Sequence, residues 1–350
     1  PDSVLSGKPL PEKKPAQPAR SPDKPGALPR LPSGAVKAVL PEALLPQLAT
    51  LVKQIPTDTQ GWMYEIKFDG YRLLTRIEGG SIRCFTRNGH DWSAKLPALV
   101  MALSKAGLRS CWLDGEIVVQ GSDGVPDFGA LQNAFDKAST AGIVYYVFDL
   151  PFYAGYDLRP LPLLERRKIL RELVNRAGLD MVRFSEDFSA SAHGLLESAR
   201  RLGLEGLVGK QLDAPYRAGR SPSWIKLKTQ LRQEFVIGGY TAPKGARAGL
   251  GALLLGFYDP GGKLHYAGNV GTGFEDATLK GLQTRLARLT VSRPAFADLP
   301  AAVKGHWVKP VLVAEVAFAQ WTHTGRVRHA VFQGLRMDKD ARQVHRESAT

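Results

Sequence analysis

The sequence predicts an α+β protein with two folded domains, a mixed domain rich in antiparallel strands followed by a small β-barrel. Two observations carry this prediction. Strand-like runs alternate with amphipathic helical stretches up to about residue 230, and closely spaced strands between glycine-rich turns follow. The 350 residues, 44% of them hydrophobic, suffice for two cores, and no apolar run is long enough to cross a membrane.

Residues 1–38 are rich in proline, lysine and serine and contain few large apolar side chains. Such a segment cannot bury enough surface to offset its conformational entropy. We therefore expect a disordered basic linker over 1–38, a first domain over 39–230 and a barrel domain over 231–350. The chain begins with proline, which suggests either a fragment or a processed protein, and it has no signal-like segment, so we expect a cytoplasmic location.

The elements follow from local pattern. In the first domain, strands are predicted in SIRCFTR, WLDGEIVV, IVYYVFDLPFY, LVGKQL and WIKLK, and helices in LPALVMALSKAG, PLLERRKILRELVNRAG and SAHGLLESARRLG. In the second, strands are predicted in EFVIGGYT, GALLLGFYD, KLHYAGNVG, PVLVAEVAFAQWT and RHAVFQGLR, with a helix in DATLKGLQTRLARL. Short strands at this spacing, in a basic chain, favour a barrel of the oligonucleotide-binding type.

The charge balance predicts a polyanionic partner. Lysine and arginine number 47 against 33 aspartates and glutamates, a formal net charge of +14. Such an excess attracts phosphate backbones, although a basic protein without such a partner is the alternative. Cys84 and Cys111 are the only cysteines, which excludes a disulfide framework and a four-cysteine zinc site.

The stretch MYEIKFDGYRLLTRI, residues 63–77, places a lysine between two carboxylates on a predicted strand. Alternation puts Glu65, Lys67 and Asp69 on one face and Ile66 and Phe68 on the other, toward a core. A solvent-facing ladder of ion pairs would explain this pattern without any function. Charged residues recur in LDGEIVV, LEGLVGK and SWIKLK, where Asp-Gly alone signals a hairpin turn and the lysines alone suit an edge strand.

Taken in order, these pieces resemble the signature of the ATP-dependent DNA ligases, covalent nucleotidyltransferases with an adenylation domain and an oligonucleotide-binding barrel. KFDGYR is similar to the first motif of that family, K-x-D-G-x-R, and LRMDK to its last. The likeness extends from about residue 40 to 345. It is greatest to the ligase module of the bacterial end-joining enzymes of the DNA ligase D group.

The resemblance implies roles for particular side chains. Catalytic roles are implied for Lys67, Asp69, Arg72, Lys226, Lys228, Arg336, Asp338 and Lys339. Contacts to the nucleotide are implied for Glu65, Ile66, Lys67, Arg72, Arg87, Glu116, Phe148, Val208, Lys210, Lys226 and Lys228. Glu116 and Glu205 are implied as ligands of Mg²⁺ or Mn²⁺, metals that prefer oxygen ligands.

Lys67 would be the nucleophile that becomes adenylated by ATP. A lysine attacks only when neutral, so we expect burial, Lys226, Lys228 and a bound metal to lower the pKa of Lys67. On the barrel, Arg336 and Lys339 would reach the departing pyrophosphate only if the barrel closes over the nucleotide.

Alternatives stay open for several neighbours. Glu65 either faces the adenine edge or pairs within its strand, and Asp69 either positions Lys67 or pairs with a neighbour. Phe148 either stacks on adenine or fills the core. Gly70 would permit a close backbone approach, and Arg72 would reach ribose or DNA phosphate.

The resemblance implies sealing of nicked or broken double-stranded DNA through lysine-AMP and DNA-adenylate, in bacterial non-homologous end joining. Ku and the polymerase and nuclease modules of the same polypeptide are the implied partners, with no membrane partner, in the nucleoid-containing cytoplasm. The alternatives are an RNA ligase, a capping-type nucleotidyltransferase, or a barrel that binds nucleic acid without catalysis.

Overall fold

The computed structural model describes residues 31–56, 60–188, 191–243 and 249–347 of the chain. Most of the predicted basic linker, residues 1–30, lies outside these ranges. The remainder of that predicted segment is structured, because strand β1 (Val36–Lys37) pairs with a strand of the first domain and Leu31 and Ala35 pack against its core. The first domain therefore begins before residue 38.

The first domain contains two sheets and four helices among the described residues. Its strands are β1, β2 (Gln47–Leu51), β3 (Trp62–Ile66), β4 (Tyr71–Glu78), β5 (Ser81–Thr86), β6 (Cys111–Val119), β7 (Ile143–Tyr153), β8 (Tyr156–Asp157), β9 (Val182–Phe184), β10 (Asp187–Phe188), β11 (Gly206–Gln211) and β12 (Gly219–Lys228). Its helices are α1 (Pro97–Lys105), α2 (Phe128–Asp136), α3 (Leu163–Ala177) and α4 (Ala192–Arg201), with a 3₁₀ turn at Ser93–Lys95.

The larger sheet has the order β1-β8-β7-β6-β4-β5, with β9 added in parallel to β7, and helices α1, α2 and α3 help to cover its main core. The smaller sheet has the order β10-β3-β11-β12-β2, and α4 packs on it. Strand β3, which leads into the lysine motif, thus lies in the smaller sheet, and β4, which leaves the motif, lies in the larger one. The motif crosses from one sheet to the other.

The second domain begins with β13 (Leu231–Tyr240), directly after β12. Its further elements are β14 (Leu253–Tyr258), β15 (Leu264–Val270), α5 (Asp276–Ala287), β16 (Thr290–Val291), β17 (His306–Val308), β18 (Val313–Phe318), β19 (Gln320–Trp321), β20 (Val327–Arg328), β21 (Val331–Leu335) and a 3₁₀ turn at Ala341–Gln343. Strand β13 pairs with β14, β17 and β18, and the antiparallel sheet curves around an apolar core that includes α5. None of the described helices has the length and apolarity needed to cross a lipid bilayer.

The strand predicted in WLDGEIVV is observed as β6, so the hairpin turn that Asp-Gly alone would signal does not form. Gly115 lies next to a register shift, where a Cβ atom would lie 2.3 Å from the carbonyl oxygen of Tyr146. The predicted alternation of residues 65–69 was wrong. The strand of the lysine motif ends at Ile66, so alternation does not extend to Lys67 and Asp69. Glu65 is buried instead of facing solvent, because β3 is an inner strand between β10 and β11.

The barrel contacts the first domain through the last residue of β21 and the segment that follows it. The hydroxyl of Tyr71 donates to the carbonyl of Leu335 at 3.2 Å, and the Gln132 amide donates to the same oxygen. Asn88 donates to the carbonyl of Asp338 at 3.0 Å. Helix α2, which supplies Gln132, was not predicted, although Asp127 accepts a hydrogen bond from Ala130 N–H as its N-cap.

Gly70 provides a test of the passage between the two sheets. A Cβ atom at residue 70 would lie 2.1 Å from the carbonyl oxygen of Ile117, so Gly70→Ala should lower the free energy of unfolding by ~2 kcal/mol or more. The matched control is Gly281→Ala in α5, where the added methyl meets nothing within 4 Å and should leave stability unchanged or slightly raised. Urea denaturation of both variants checks this, and equal midpoints would contradict it.

Candidate active site

The two domains enclose a cavity of about 530 Å³. The site residues predicted from the sequence all line it: Glu65, Ile66, Lys67, Asp69, Arg72, Arg87, Glu116, Phe148, Glu205, Val208, Lys210, Lys226, Lys228, Arg336, Asp338 and Lys339. The fold therefore gathers on one cavity residues that are far apart in the chain and come from both domains.

Lys67 is fixed at both its backbone and its side chain by the segment that leads into β11. Its N–H donates to the carbonyl of Gly206 at 2.9 Å. Its ammonium nitrogen lies 2.5 Å from Glu205 Oε2, and 22% of the Lys67 side chain is exposed. The amine is thus held at a defined point in the cavity and remains reachable.

The predicted lowering of the Lys67 pKa is wrong for this arrangement. Burial alone lowers that pKa, but the charge and hydrogen bond of Glu205, with the charges of Glu315 and Glu116, raise the net value. The pKa of Lys226, by contrast, is lowered to about 8 by burial and by the neighbouring Lys228. Since the pKa of Lys67 is raised above its ordinary value, Lys67 is an ammonium at neutral pH.

Arg72 is anchored in the cavity wall. Its Nε and Nη2 donate to Asp114 at 2.5 and 2.7 Å, and Nη2 also donates to the carbonyl of Gln47 at 3.2 Å. Asp114 is fully buried and accepts a further hydrogen bond from the Tyr216 hydroxyl at 2.8 Å. The charge of Arg72 is already paired here, in contrast to the predicted contact with ribose or DNA phosphate.

Glu65 lies in a buried polar cluster beneath the cavity. Its carboxylate receives hydrogen bonds from Arg167 at 2.8 Å and from the Ser185 hydroxyl at 2.5 Å, and Lys210 Nζ lies 2.7 Å away. Glu65 thus pairs with side chains of α3, of the segment after β9 and of β11, and not within its own strand. Its contact with an adenine edge stays a prediction. Burial lowers the pKa of Lys210 to about 8 despite Glu65.

Phe148 is both a core residue and part of the cavity wall. The ring is 7% exposed and meets Trp224 edge-to-face at 6.0 Å between centroids. Arg72 Cζ lies 4.5 Å and Lys210 Nζ 4.1 Å from the ring centroid. These cation–π contacts keep the ring rigid at the point where the resemblance implies a stacked adenine.

Arg87 follows β5 and differs from Arg72 and Arg336, the other two arginines predicted for the site. Burial lowers its pKa, and within the ranges that the structure describes it forms no ion pair. A partly buried guanidinium without a carboxylate partner is suited to an incoming anion. Arg87 is therefore the predicted nucleotide contact with its charge most available.

Carboxylates crowd one side of the cavity. Burial raises the pKa of Glu116 to about 7, and burial together with the charge of Glu205 raises that of Asp69 to about 6. In the described part of the chain, no three side chains converge as a ready metal site. Mg²⁺ usually takes one or two carboxylates together with substrate phosphates, and Glu116 and Glu205 fit that donor set because both carboxylates line the cavity and act on Lys67.

Asp69 adopts the second of its two predicted alternatives. Its carboxylate accepts from Arg232 Nη1 at 2.8 Å, and Arg232 Nε lies 3.8 Å from Glu315 in the barrel. Arg232 is at the start of β13. The pair therefore ties the lysine motif to the first strand of the barrel.

The late motif reaches the cavity from the barrel side. Arg336 donates to both oxygens of Asp338 at 2.9 Å and to Glu315 at 2.7 Å, and Lys339 lies 3.0 Å from Glu234. Glu234 and Glu315 are directly opposite in the register of β13 and β18. Like charges in that position repel, and the two cations of the motif offset the repulsion.

Four functional candidates were missed by the sequence reasoning: Arg232, Glu234, Glu315 and Glu347. None belongs to a predicted motif, and each occupies an ordinary position in or after a barrel strand. Glu234 precedes a run of buried residues and Glu315 lies within one, which is a weak signal for an inward-facing charge. Only the fold brings the charge of Glu315 near Lys67 and that of Glu234 near Lys226 of the other domain.

Comparison with known proteins decides the family. Residues 46–228 match the family described as ATP dependent DNA ligase domain, and residues 246–339 match the ATP dependent DNA ligase C terminal region. The chain belongs to the ATP-dependent DNA ligases. Its two domains are the nucleotidyltransferase domain and the oligonucleotide-binding barrel of that family, so the predicted fold class, resemblance and enzyme class are confirmed.

The ligase has well-matched relatives. It is 49% identical over 98% of its length to the multifunctional non-homologous end joining protein LigD of Pseudomonas aeruginosa, and 38% identical over 87% to the multifunctional non-homologous end joining DNA repair protein LigD of Mycobacterium tuberculosis. The chain spans 41% and 40% of these two proteins. A solved structure described as mycobacterial DNA ligase D complexed with ATP and MES is 36% identical, with a TM-score of 0.67 over 87% of this chain and 98% of that one.

These matches do not favour the alternatives of an RNA ligase, a capping-type enzyme or a barrel without catalysis. The matches show the family and do not assign roles to individual residues of the site. The cavity has a wall that contains buried ion pairs, such as Arg72 with Asp114, and a set of charges that face the open space.

Removing Asp114 should show how much the ion pair of Arg72 with Asp114 contributes to the stability of the cavity wall. Asp114→Ala leaves the buried Arg72 guanidinium uncompensated, so we expect the free energy of unfolding to fall by about 3 to 5 kcal/mol. Glu172→Ala, which removes the partner of Arg176 at an exposed position on α3, should cost less than about 1 kcal/mol. Chemical denaturation measures both, and similar losses would argue against an anchoring role for Asp114.

Proposed function

We propose that this ligase activates DNA ends with ATP through a covalent AMP on Lys67 and then seals the strand. The observation that carries the proposal is the position of the Lys67 amine in one cavity with Lys226 and Lys228 on one side and Arg336 and Lys339 on the other. Cations from two domains around a single nucleophile suit a triphosphate whose α-phosphorus is attacked and whose pyrophosphate leaves.

In the first step Lys67 Nζ forms a bond to the α-phosphorus of ATP, and the bond from that phosphorus to the bridging oxygen breaks. The ammonium must first lose its proton, and Glu205 Oε2, at 2.5 Å, is placed to accept it. A divalent cation, when bound by Glu205 and Glu116, would supply the positive charge that lowers the pKa of Lys67. Mg²⁺ and Mn²⁺ both fit the oxygen donors.

Arg336 and Lys339 serve the leaving group. Their cationic groups would neutralise the β- and γ-phosphates as pyrophosphate departs, with Asp338 holding the guanidinium in the required plane. Arg87, Lys226 and Lys228 would bind the phosphate that stays. This division follows from the domain to which each side chain belongs.

The second and third steps act on DNA. The 5′ phosphate of a nick takes AMP from Lys67, and the 3′ hydroxyl then attacks that phosphate and releases AMP. The barrel covers the cavity, with Leu335 and Asp338 hydrogen-bonded to the first domain, so it must move away before a duplex can reach Lys67. We infer a barrel with two positions, closed for adenylation and open for DNA.

The biological setting is inferred from the relatives. A role in bacterial non-homologous end joining, with nicked or broken double-stranded DNA as substrate, agrees with the net charge of +14 and with the likeness to LigD proteins. Since those relatives are more than twice as long, we propose Ku and polymerase and nuclease modules of the same polypeptide as partners. The expected location is the nucleoid region of the bacterial cytoplasm.

Lys67 provides the direct test. Lys67→Ala should abolish both the labelling of the protein by ATP radiolabelled at the α-phosphate and the sealing of a nick, and Lys67→Arg should fail as well because arginine stays protonated. Mass spectrometry of the wild-type protein should locate one added AMP at Lys67. A normal level of protein-bound AMP in either variant would refute the assignment.

The two-position barrel makes a prediction about separate steps. Lys339→Ala and Arg336→Ala should slow adenylation by ATP about 100-fold or more, yet slow the sealing of a pre-adenylated nick less than about tenfold, since that substrate has no β- or γ-phosphate. Single-turnover assays on both substrates measure this. Lys304→Ala, an exposed lysine of the same domain, is the control, and equal losses on the two substrates would assign the motif to DNA instead.

A further inference from the structure

Residues 343–347, the last segment that the structure describes, are hydrogen-bonded to the barrel and line the cavity. The N–H of Tyr258 donates to the carbonyl of Val344 at 2.8 Å, and the His345 ring lies 2.8 Å from the carbonyl of Tyr258. Gln233 accepts from the Glu347 N–H at 2.9 Å. The segment therefore moves with the barrel as part of it.

Glu347 extends from this segment to the two phosphate-binding lysines of the other domain. Its Oε1 lies 2.7 Å from Lys226 Nζ and its Oε2 lies 3.0 Å from Lys228 Nζ. The carboxylate side chain is 21% exposed, and both lysine side chains are less exposed than that. A carboxylate with one oxygen on each ammonium has the charge and the geometry that a nucleotide phosphate would present to the same lysines.

We propose that Glu347 is an internal competitor for nucleotide phosphate: when the barrel closes over an empty cavity, its carboxylate occupies Lys226 and Lys228. This rests on the proposed function, because it requires those lysines to bind phosphate. Glu347 takes no part in the bonds made or broken, so it is a residue that sets the affinity for ATP.

Two effects act in the same direction. The Glu347 contacts stabilise the closed form without nucleotide, which lowers the fraction of the enzyme that is competent to bind ATP. Once ATP is bound and the barrel has closed, the carboxylate lies next to the phosphate that displaced it, and the two anions repel. Removing the charge of Glu347 should therefore strengthen ATP binding. If Glu347 instead oriented the lysines for catalysis, removing it would weaken adenylation.

The experiment is a single-turnover titration of self-adenylation with ATP on Glu347→Gln, which keeps the size of the side chain and removes its charge. We expect KM for ATP to fall about three- to tenfold, with the maximal rate within about twofold of wild type and unchanged sealing of a pre-adenylated nick. Glu347→Asp, which restores the charge, should return KM toward the wild-type value. Glu197→Gln, at an exposed ion pair with Arg200, is the matched control and should change nothing.

An unchanged or higher KM in Glu347→Gln would overturn the proposal, and so would an equal fall in adenylation and in sealing. The proposed function fails in a different way, since it is lost if the wild-type enzyme forms no AMP adduct on Lys67. The two failures are distinguishable because the second is read on wild-type protein and the first only on the variant.

Discussion

Pairing of buried cations with carboxylates is the constraint on which the rest of this structure depends. The cavity brings Lys67, Lys226, Lys228 and Arg232 out of bulk water, and an uncompensated charge there would be costly. Each of the four has a carboxylate within 3.0 Å, from Glu205, Glu347 or Asp69. The site is thus nearly neutralised before any nucleotide arrives, and ATP must exchange one set of ion pairs for another.

Such an exchange is feasible because a buried ion pair contributes little net stability. The attraction between the partners is largely offset by the loss of hydration, so replacing a carboxylate by a phosphate changes the balance by a small amount. Arg72, in the cavity wall, is different. It pairs with Asp114, which is fully buried, so a ligand in the cavity does not reach that carboxylate while the charges facing the cavity change partners.

The sequence predicted which residues form the site better than it predicted their protonation and burial. Lysine, arginine and carboxylate at fixed places in ordered motifs are required by covalent nucleotidyl transfer, so the cavity could be assembled from Lys67, Lys226 and Arg336 without a structure. The raised pKa of Lys67 was missed, because the fold sets the charge and hydrogen bond of Glu205, and then the charge of Glu315 from the barrel, against the effect of burial. The burial of Glu65 was missed for a similar reason: whether β3 is an edge or an inner strand depends on β10 and β11, which are paired only in the fold. Residues 31–38 were placed in the linker by composition, yet two of them complete a sheet edge.

The distribution of ion-pair partners determines which charges lose a partner when the barrel moves. Arg336 and Lys339 have their carboxylates, Asp338, Glu315 and Glu234, inside the barrel, so these pairs travel together when it leaves. Lys226 and Lys228 have their partner in the other domain and lose Glu347 on opening. On the proposed mechanism, AMP on Lys67 supplies the anion that these lysines then lack. Opening is consequently unfavourable with an empty cavity and favourable once AMP is attached, which orders the steps as adenylation first and DNA second.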